Sequence, residues 1–399
     1  MKNNSCWWVA VLLMAFFVAS ATAQIPQMAE LNPDQVRALD RAKIVVLISG
    51  EILEEHGPYM PSYTDSYADA AFPQELAGAI VARPGWTVVV LPQIPLGFGG
   101  AHNTGAKWNF PGSFTVRMAT VRAIYMDLGS ALGEQGFRRI SLIHNHGDPA
   151  NNRALDQASD FFHDTYGGTM VHLFGLQPVM DCCGAAEKLF TPAQLAEEGF
   201  TVHAGADEHS QILFLRPDLV SPHYRKAPSV TGKNFEDLYR LAADEGWPGY
   251  FGAPRFASAA FGAQDFAEQV RRLDQMALQI LDGLDYHKIP RFADNMDPRD
   301  AIDEKEELDH DRKLEEKEFG LAEVQRPALA TNIPTQRKSN EKSCDAIIDL
   351  SIRDRGSCPT VVFGGRSDHR AALQTDGCES WSSPGCENRK DAHRPGDCY

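Results

Sequence analysis

Ile44-Val45-Val46-Leu47-Ile48 leads into Glu54-Glu55-His56-Gly57-Pro58, and the chain continues through Pro61 to Thr64-Asp65. The apolar run has no polar face, which is the pattern of a strand buried on both sides in a parallel sheet. If the chain stays extended past Ile48, residues two apart point the same way. Glu54 and His56 then project together while Glu55 points away. Gly57-Pro58 stops the extended run, and the loop beyond can return Asp65 to the same place. A carboxylate, an imidazole and a second carboxylate at a strand end suit a zinc- or manganese-class ion. The competing reading is simple: Glu-x-His is common by chance, and Asp65 can be the N-cap of a helix starting near Ser66.

The pattern recurs further along. Ala70, Phe72, Leu76, Ala79 and Ile80 share a helical face, and Thr87-Val88-Val89-Val90-Leu91 reads as a second strand. Pro92 to Gly105 is a glycine-rich loop without the spacing of a phosphate cradle. Val116, Ala119, Ile124, Leu128 and Leu132 predict a long helix, and Arg139-Ile140-Ser141-Leu142-Ile143 a third strand. Directly after it comes His144-Asn145-His146-Gly147-Asp148-Pro149, where His146 and Asp148 are again two apart. Ligands of open α/β sheets bind beyond the carboxyl ends of the strands, so two strand ends each offering an acid and an imidazole suggest a two-metal site. Thr169 to Phe174 is a fourth strand. His203, Asp207, Glu208 and His209 then precede an apolar segment, Ile212 to Leu215, and a helix from about Asp265 to Leu284 closes the domain. Strands alternating with helices predict a three-layer α/β/α fold with a mainly parallel sheet.

Composition bounds the rest. The 399 residues, 43% of them hydrophobic, suffice for one large domain with additions. A net charge of −16 argues against nucleic acid, whose phosphates need a basic surface. Residues 1–23 read as a secretory signal: Lys2, an apolar core from Trp7 to Val18, and Ala21-Thr22-Ala23 before Gln24. The alternative is a transmembrane anchor, but the run is short and no basic cluster follows. The reading is therefore an exported protein, periplasmic or secreted, with no membrane contact after cleavage. Of the eight cysteines, Cys6 leaves with the leader. Export permits disulfides among the remaining seven, whose odd number leaves at least one without a partner in the chain. The domain is expected over residues 24–290. Beyond it, residues 291–399 form an irregular, charged, cysteine-containing tail, with Asp303 to Glu318 a solvated helix or disordered and the remainder disordered.

Three elements together resemble the creatininase (creatinine amidohydrolase) family, over roughly Ala42 to Leu284. They are Glu54 to Pro61 with Thr64-Asp65, Phe110-Pro111-Gly112-Ser113 after His102, and His203-Ala204-Gly205-Ala206-Asp207-Glu208-His209-Ser210. The resemblance implies a dinuclear metal hydrolase acting on a C–N bond of a cyclic or linear amide, with zinc, manganese or iron admissible. By matching positions, Glu54 and His146 hold one ion, His56 and Asp148 the other, and Asp65 bridges them. Asp148 is one methylene shorter than its counterpart in creatinine-cleaving members, so Glu208 competes for that role. His203 is expected to orient substrate, with Asp148 or Glu208 moving the proton. Creatinine-cleaving members line their pocket with tryptophan, and this chain has none between Trp108 and Trp247, which argues against creatinine itself. Members are commonly hexameric, so a homo-oligomer is expected. Two rivals remain: a two-metal phosphoesterase, disfavoured by acidic motif loops poor in arginine, and an exported binding protein with a decayed site, suggested by Asp148 and Ala206.

Overall fold

The computed structural model describes residues 25–181 and 189–325. The expected leader at 1–23 and all eight cysteines lie outside the described residues, as does the stretch beyond 325. The expected strands form one parallel sheet: β1 (Ile44–Ser49), β2 (Thr87–Val90), β3 (Arg139–Ile143) and β4 (Thr169–His172), in the order β2-β1-β3-β4. Ile44 is in register with Thr87 on one side of β1, and Val46 with Ile140 on the other.

Every residue of β1 is buried, and its alternation divides the core in two. Val45 and Leu47 face one layer, Ile44, Val46 and Ile48 the other. After the short α1 (Pro33–Ala38), the first layer is built on α2 (Thr64–Val81), where Phe72 stacks on Phe266 at 4.9 Å and packs against Phe174. The second layer is α3 (Met118–Glu134) and α4 (Pro149–Tyr166), with Val121, Tyr125, Leu155 and Phe162 fully buried. The sandwich of helices, sheet and helices is the predicted α/β fold.

Among the described residues, β4 is followed by α5 (Gln177–Met180), α6 (Pro192–Glu198), α7 (Ala206–Leu215) and α8 (Phe235–Ala243). The apolar segment at Ile212 lies inside α7. The next helix, α9 (Ala259–Leu281), supplies Phe266 and begins more than a turn before the expected Asp265, because Ser258 caps it through the Phe261 amide. It passes so close to α7 that a Cβ on Gly262 would meet the Ser210 carbonyl.

The charged segment after 291 departs from expectation. Pro298–Gln325 is one helix, α10, and its acids at 304, 307 and 311 share a face that docks on the domain. Arg153 Nε donates to Glu304 (3.0 Å), Asn103 Nδ2 to Glu307 (2.8 Å), and the Met118 amide to Asp311 (3.1 Å). Glu307 is 2% exposed. Fixed donors waiting for that face explain why a polar helix packs here instead of standing in solvent.

Candidate metal centre

β1 and β3 are neighbours, while the connections from them run to opposite edges of the sheet. The crevice beyond their carboxyl ends is therefore the expected ligand position. The chain does not stay extended past β1. Glu51 N bonds to the Ile94 carbonyl, Glu54 N to the Ser62 carbonyl and Glu55 N to Ser113 Oγ, and these contacts hold the loop. They also fix the imidazoles. His56 Nδ1 lies 3.1 Å from the Glu54 carbonyl, which can only accept, so Nδ1 carries a proton and Nε2 is the edge turned to the site. By the same logic His203 Nε2 donates to the Glu55 carbonyl (2.8 Å) and Nδ1 is left for the site.

Asp65 is the centre of the arrangement. Its Oδ1 lies 2.9 Å from His56 Nε2 and its Oδ2 3.7 Å from His146 Nδ1. Glu54 flanks it, with Oε2 3.3 Å from His146 Nδ1 and Oε1 3.7 Å from His203 Nδ1. Glu208, in the first turn of α7, places Oε2 3.7 Å from His56 Nε2. Ligand atoms of Glu54, His56 and His203 lie within 4.8 Å of one another, as do those of His56, Asp65 and Glu208. His56 Nε2 meets only the carboxylates of Asp65 and Glu208, and His146 Nε2 is buried with no hydrogen-bond partner. Converging carboxylates with unspent imidazole nitrogens are a donor set that fits divalent zinc or manganese.

The charges of these groups follow from the crowding. Burial alone would lower the His56 pKa, but Asp65, then Glu208 and Glu54, hold it well above its ordinary value. Burial would raise Asp65, yet His56, His146 and His203 bring it down to about 2. His203 rises to about 9 against its own burial, chiefly through Glu54. Burial lifts Glu208 to about 7.

Of the residues singled out in the sequence, Glu54, His56, Asp65, His146, His203 and Glu208 are brought together. Asp148 joins no three-ligand group. It is the N-cap of α4, accepting from the Asn151 amide at 2.6 Å, and lies against Glu307. Gly99, at φ +73°, makes room for it, because a Cβ there would run into the Asp148 carboxylate. Glu55 stays outside the donor set, as its alternation with Glu54 and His56 predicts: its Oε2 accepts from the Gly57 amide (2.8 Å) and its Oε1 lies 3.6 Å from His203 Nε2, the edge of that ring away from Glu54.

Two acids escaped the sequence reading. Glu51 Oε1 accepts from the amides of Asn145 and His146, and Asp69 Oδ2 from that of Asn145. Burial pushes both carboxyls up, and they hydrogen-bond to each other. The one available signal was the four-residue spacing of Asp65 and Asp69, which puts both on one helical face.

Above the donor set opens a cavity of about 380 Å³. Glu54, Asp65, His146, His203 and Glu208 line it, Phe200, Phe235, Leu238, Tyr239 and Phe292 make up apolar wall, and Asp300 and Asp303 of α10 also border it.

Comparison with known proteins agrees with this geometry. Among curated proteins, the mycofactocin precursor peptide peptidase of Mycobacterium ulcerans (strain Agy99) is 24% identical over 255 residues, 62% of this chain and 90% of that protein. A crystal structure of creatinine amidohydrolase (creatininase) superposes with a TM-score of 0.50 at 20% identity, covering 65% of this chain and 98% of its own. A manganese creatininase gives the same TM-score at 19% identity, covering 64% and 99%, and a Zn–Zn type variant is equally similar. The family described as creatinine amidohydrolase matches residues 29–277, well over half of the sequence, and the chain belongs to this creatininase family.

Proposed function

We propose that this protein is a dinuclear-metal amidohydrolase cleaving a C–N bond of a cyclic or linear amide other than creatinine. The observation that carries the reading is Asp65, whose two oxygens face two different imidazoles, His56 and His146. Glu54 and His146 would hold one ion, His56 and Glu208 the other, with Asp65 shared. Bound there, divalent ions supply a Lewis acid for the amide carbonyl and bring the acidity of water toward neutrality.

The chain's own groups do the remaining work. His203 is locked by its Nε2–H to the Glu55 carbonyl, so its Nδ1 edge is presented beside Glu54, where it can orient the amide. Glu208 borders the cavity beside His56, where a carboxyl can take a proton and return it to the departing nitrogen. The aromatic and leucine wall excludes water from the amide while the acids stay at the ligand end. That wall is phenylalanine and tyrosine, not tryptophan, which supports a substrate other than creatinine. The peptidase name of the curated relative widens the class to linear amides, peptides included.

The test is elemental analysis of the purified chain, followed by a panel of cyclic and linear amides with and without chelator. Two ions per chain and chelator-sensitive hydrolysis are expected. Less than one ion per chain after reconstitution with zinc or manganese, and no hydrolysis, would overturn the proposal.

A further inference from the structure

The family match ends at residue 277 and the solved creatininases cover 64–65% of this chain, yet later residues complete the cavity. Phe292, Asp300 and Asp303 all line it. Asp303 Oδ1 is buried without a hydrogen-bond partner. So is Oε2 of Glu307, a side chain 2% exposed that lies against Asp148 and Asp303 while Asn103 takes its other oxygen. No lysine or arginine is among the described residues lining the cavity. The arginine nearest in the helix sequence, Arg299, lies at the cavity's edge: its guanidinium sits 3.9 Å over the Tyr239 ring, covering one face of it, and its Nε 3.7 Å from Glu236. The other rings beside the acids are Phe292 and the edge-to-face pair Phe200 and Phe235, whose centroids are 4.8 Å apart.

A buried carboxylate oxygen without a donor, Asp303 Oδ1, with Asp300 beside it and aromatic rings around, makes a receptor for an organic cation. The ring quadrupoles and the acids attract the same charge, and the apolar wall weakens the competition from water. We infer that this chain selects amides bearing a primary ammonium or guanidinium group, held by Asp300 and Asp303 of α10 while the amide faces Glu54, His203 and Glu208. The inference rests on the amidohydrolase reading of the site, but its recognition half stands on the cavity alone.

The experiment measures binding and turnover separately on the metal-loaded full chain. Three ligands of nearly equal size are titrated by calorimetry: 4-aminobutanamide, its neutral isostere pentanamide, and the anionic succinamate. The ammonium compound is expected to bind about tenfold more tightly than pentanamide, with succinamate weakest. In Asp300→Asn/Asp303→Asn the preference for ammonium over the neutral isostere should fall to about threefold or less, and 0.5 M salt should reduce it in the unaltered protein. Equal binding of the first two ligands, tighter binding of succinamate, or an undiminished preference in the folded variant overturns the inference. If the double variant does not fold, the ligand series and salt dependence on the unaltered protein decide alone. Ammonium preference without hydrolysis of any amide refutes the enzyme reading and leaves recognition standing. Hydrolysis with no charge preference does the reverse.

Discussion

Three segments of this molecule each place two candidate ligands side by side, and the two sets so formed behave differently. Glu54, Asp65 and His146 face the cavity. Glu51, Asp69 and His144 come from the same loop, helix and strand end but are 0% exposed, against 2%, 9% and 8% for the first three. Proximity does not separate the sets: Glu51 has a ligand atom within 4.8 Å of those of Asp69 and His144, and equally of those of Asp65 and His146. Their partners do. Glu51 and Asp69 are engaged by backbone amides and by each other, and His172 Nε2 donates to the carbonyl of His144. Burial drives His144 well below its ordinary pKa and both acids above theirs, so the inner set is electrically quiet. The outer set opens on the cavity and keeps Asp65 charged. Identical residue types thus hold the chain in one layer and offer themselves to a ligand in the next.

The comparison breaks first at His56. His56→Ala removes a donor that is bonded to its own loop and to the Asp65 carboxylate, so metal content and amide hydrolysis should fall together. The loss should exceed the ~10²-fold typical of a supporting residue, with little change in the urea midpoint. Retained metal and unchanged turnover would return His56 to the scaffold. Glu51 is the converse case. Glu51→Ala leaves the buried Asn145 and His146 amides short of an acceptor and should destabilise the fold by on the order of 4 kcal/mol. Glu51→Gln keeps an oxygen for them, so stability should largely return while metal affinity stays down by about 10–100-fold. If both variants lost metal and neither lost stability, Glu51 would be a ligand and the two layers would be one.

How much of this was legible depends on whether a residue's role is local. β1, β2 and β3 were readable because burial on both faces demands unbroken apolar runs, and Val45 to Ile48 have no other use. Glu54 with His56 was readable as a pair two apart, although the loop reaches the predicted meeting by hydrogen bonds to Ser62 and Ser113 and not by staying extended. Asp148 shows the limit. Its spacing from His146 matched a ligand pair, but Pro149 starts a helix immediately after it and the carboxylate caps that helix. Glu51 gave no pattern at all, being one acid after a strand whose partners lie 94 and 95 residues away. Glu307 was hidden for a similar reason. Within a run dense in both charge signs, only the docking of α10 on Asn103 and Met118 tells which acid turns inward.

The third loop of the site has its own brace, and its strength should depend on pH. Glu198 accepts from the amides of Ala206 and Ala253, at 2.8 and 2.6 Å, and so holds the turn carrying His203 and Glu208, where Ala204 sits at φ +52°. Burial, with Asp207 nearby, raises its pKa from 4.5 to about 7. The folded value lies above the unfolded one, so the stabilisation is complete below about pH 4.5 and is lost as the pH rises through 7. Its size is on the order of 3 kcal/mol. Urea unfolding at pH 5 and pH 8 should therefore show a steeper loss in the unaltered protein than in Glu198→Gln. Equal slopes would mean that Glu198 is not protonated by folding.

The smallest effect expected separates the two acids that competed for one ligand role. Asparagine caps a helix about as well as aspartate, so Asp148→Asn should cost a few tenths of a kcal/mol. It should also leave metal content near that of the unaltered chain, since the Asp148 carboxylate is spent on Asn151. Glu208→Gln keeps the size of a side chain 3.7 Å from His56 Nε2 but removes its charge, and metal content should drop. The contrast matters more than either value, because a carboxylate that caps a helix has one oxygen already committed and little freedom to swing toward an ion. Should Asp148→Asn be the variant that loses metal while Glu208→Gln keeps it, Asp148 would be the ligand and Glu208 would not.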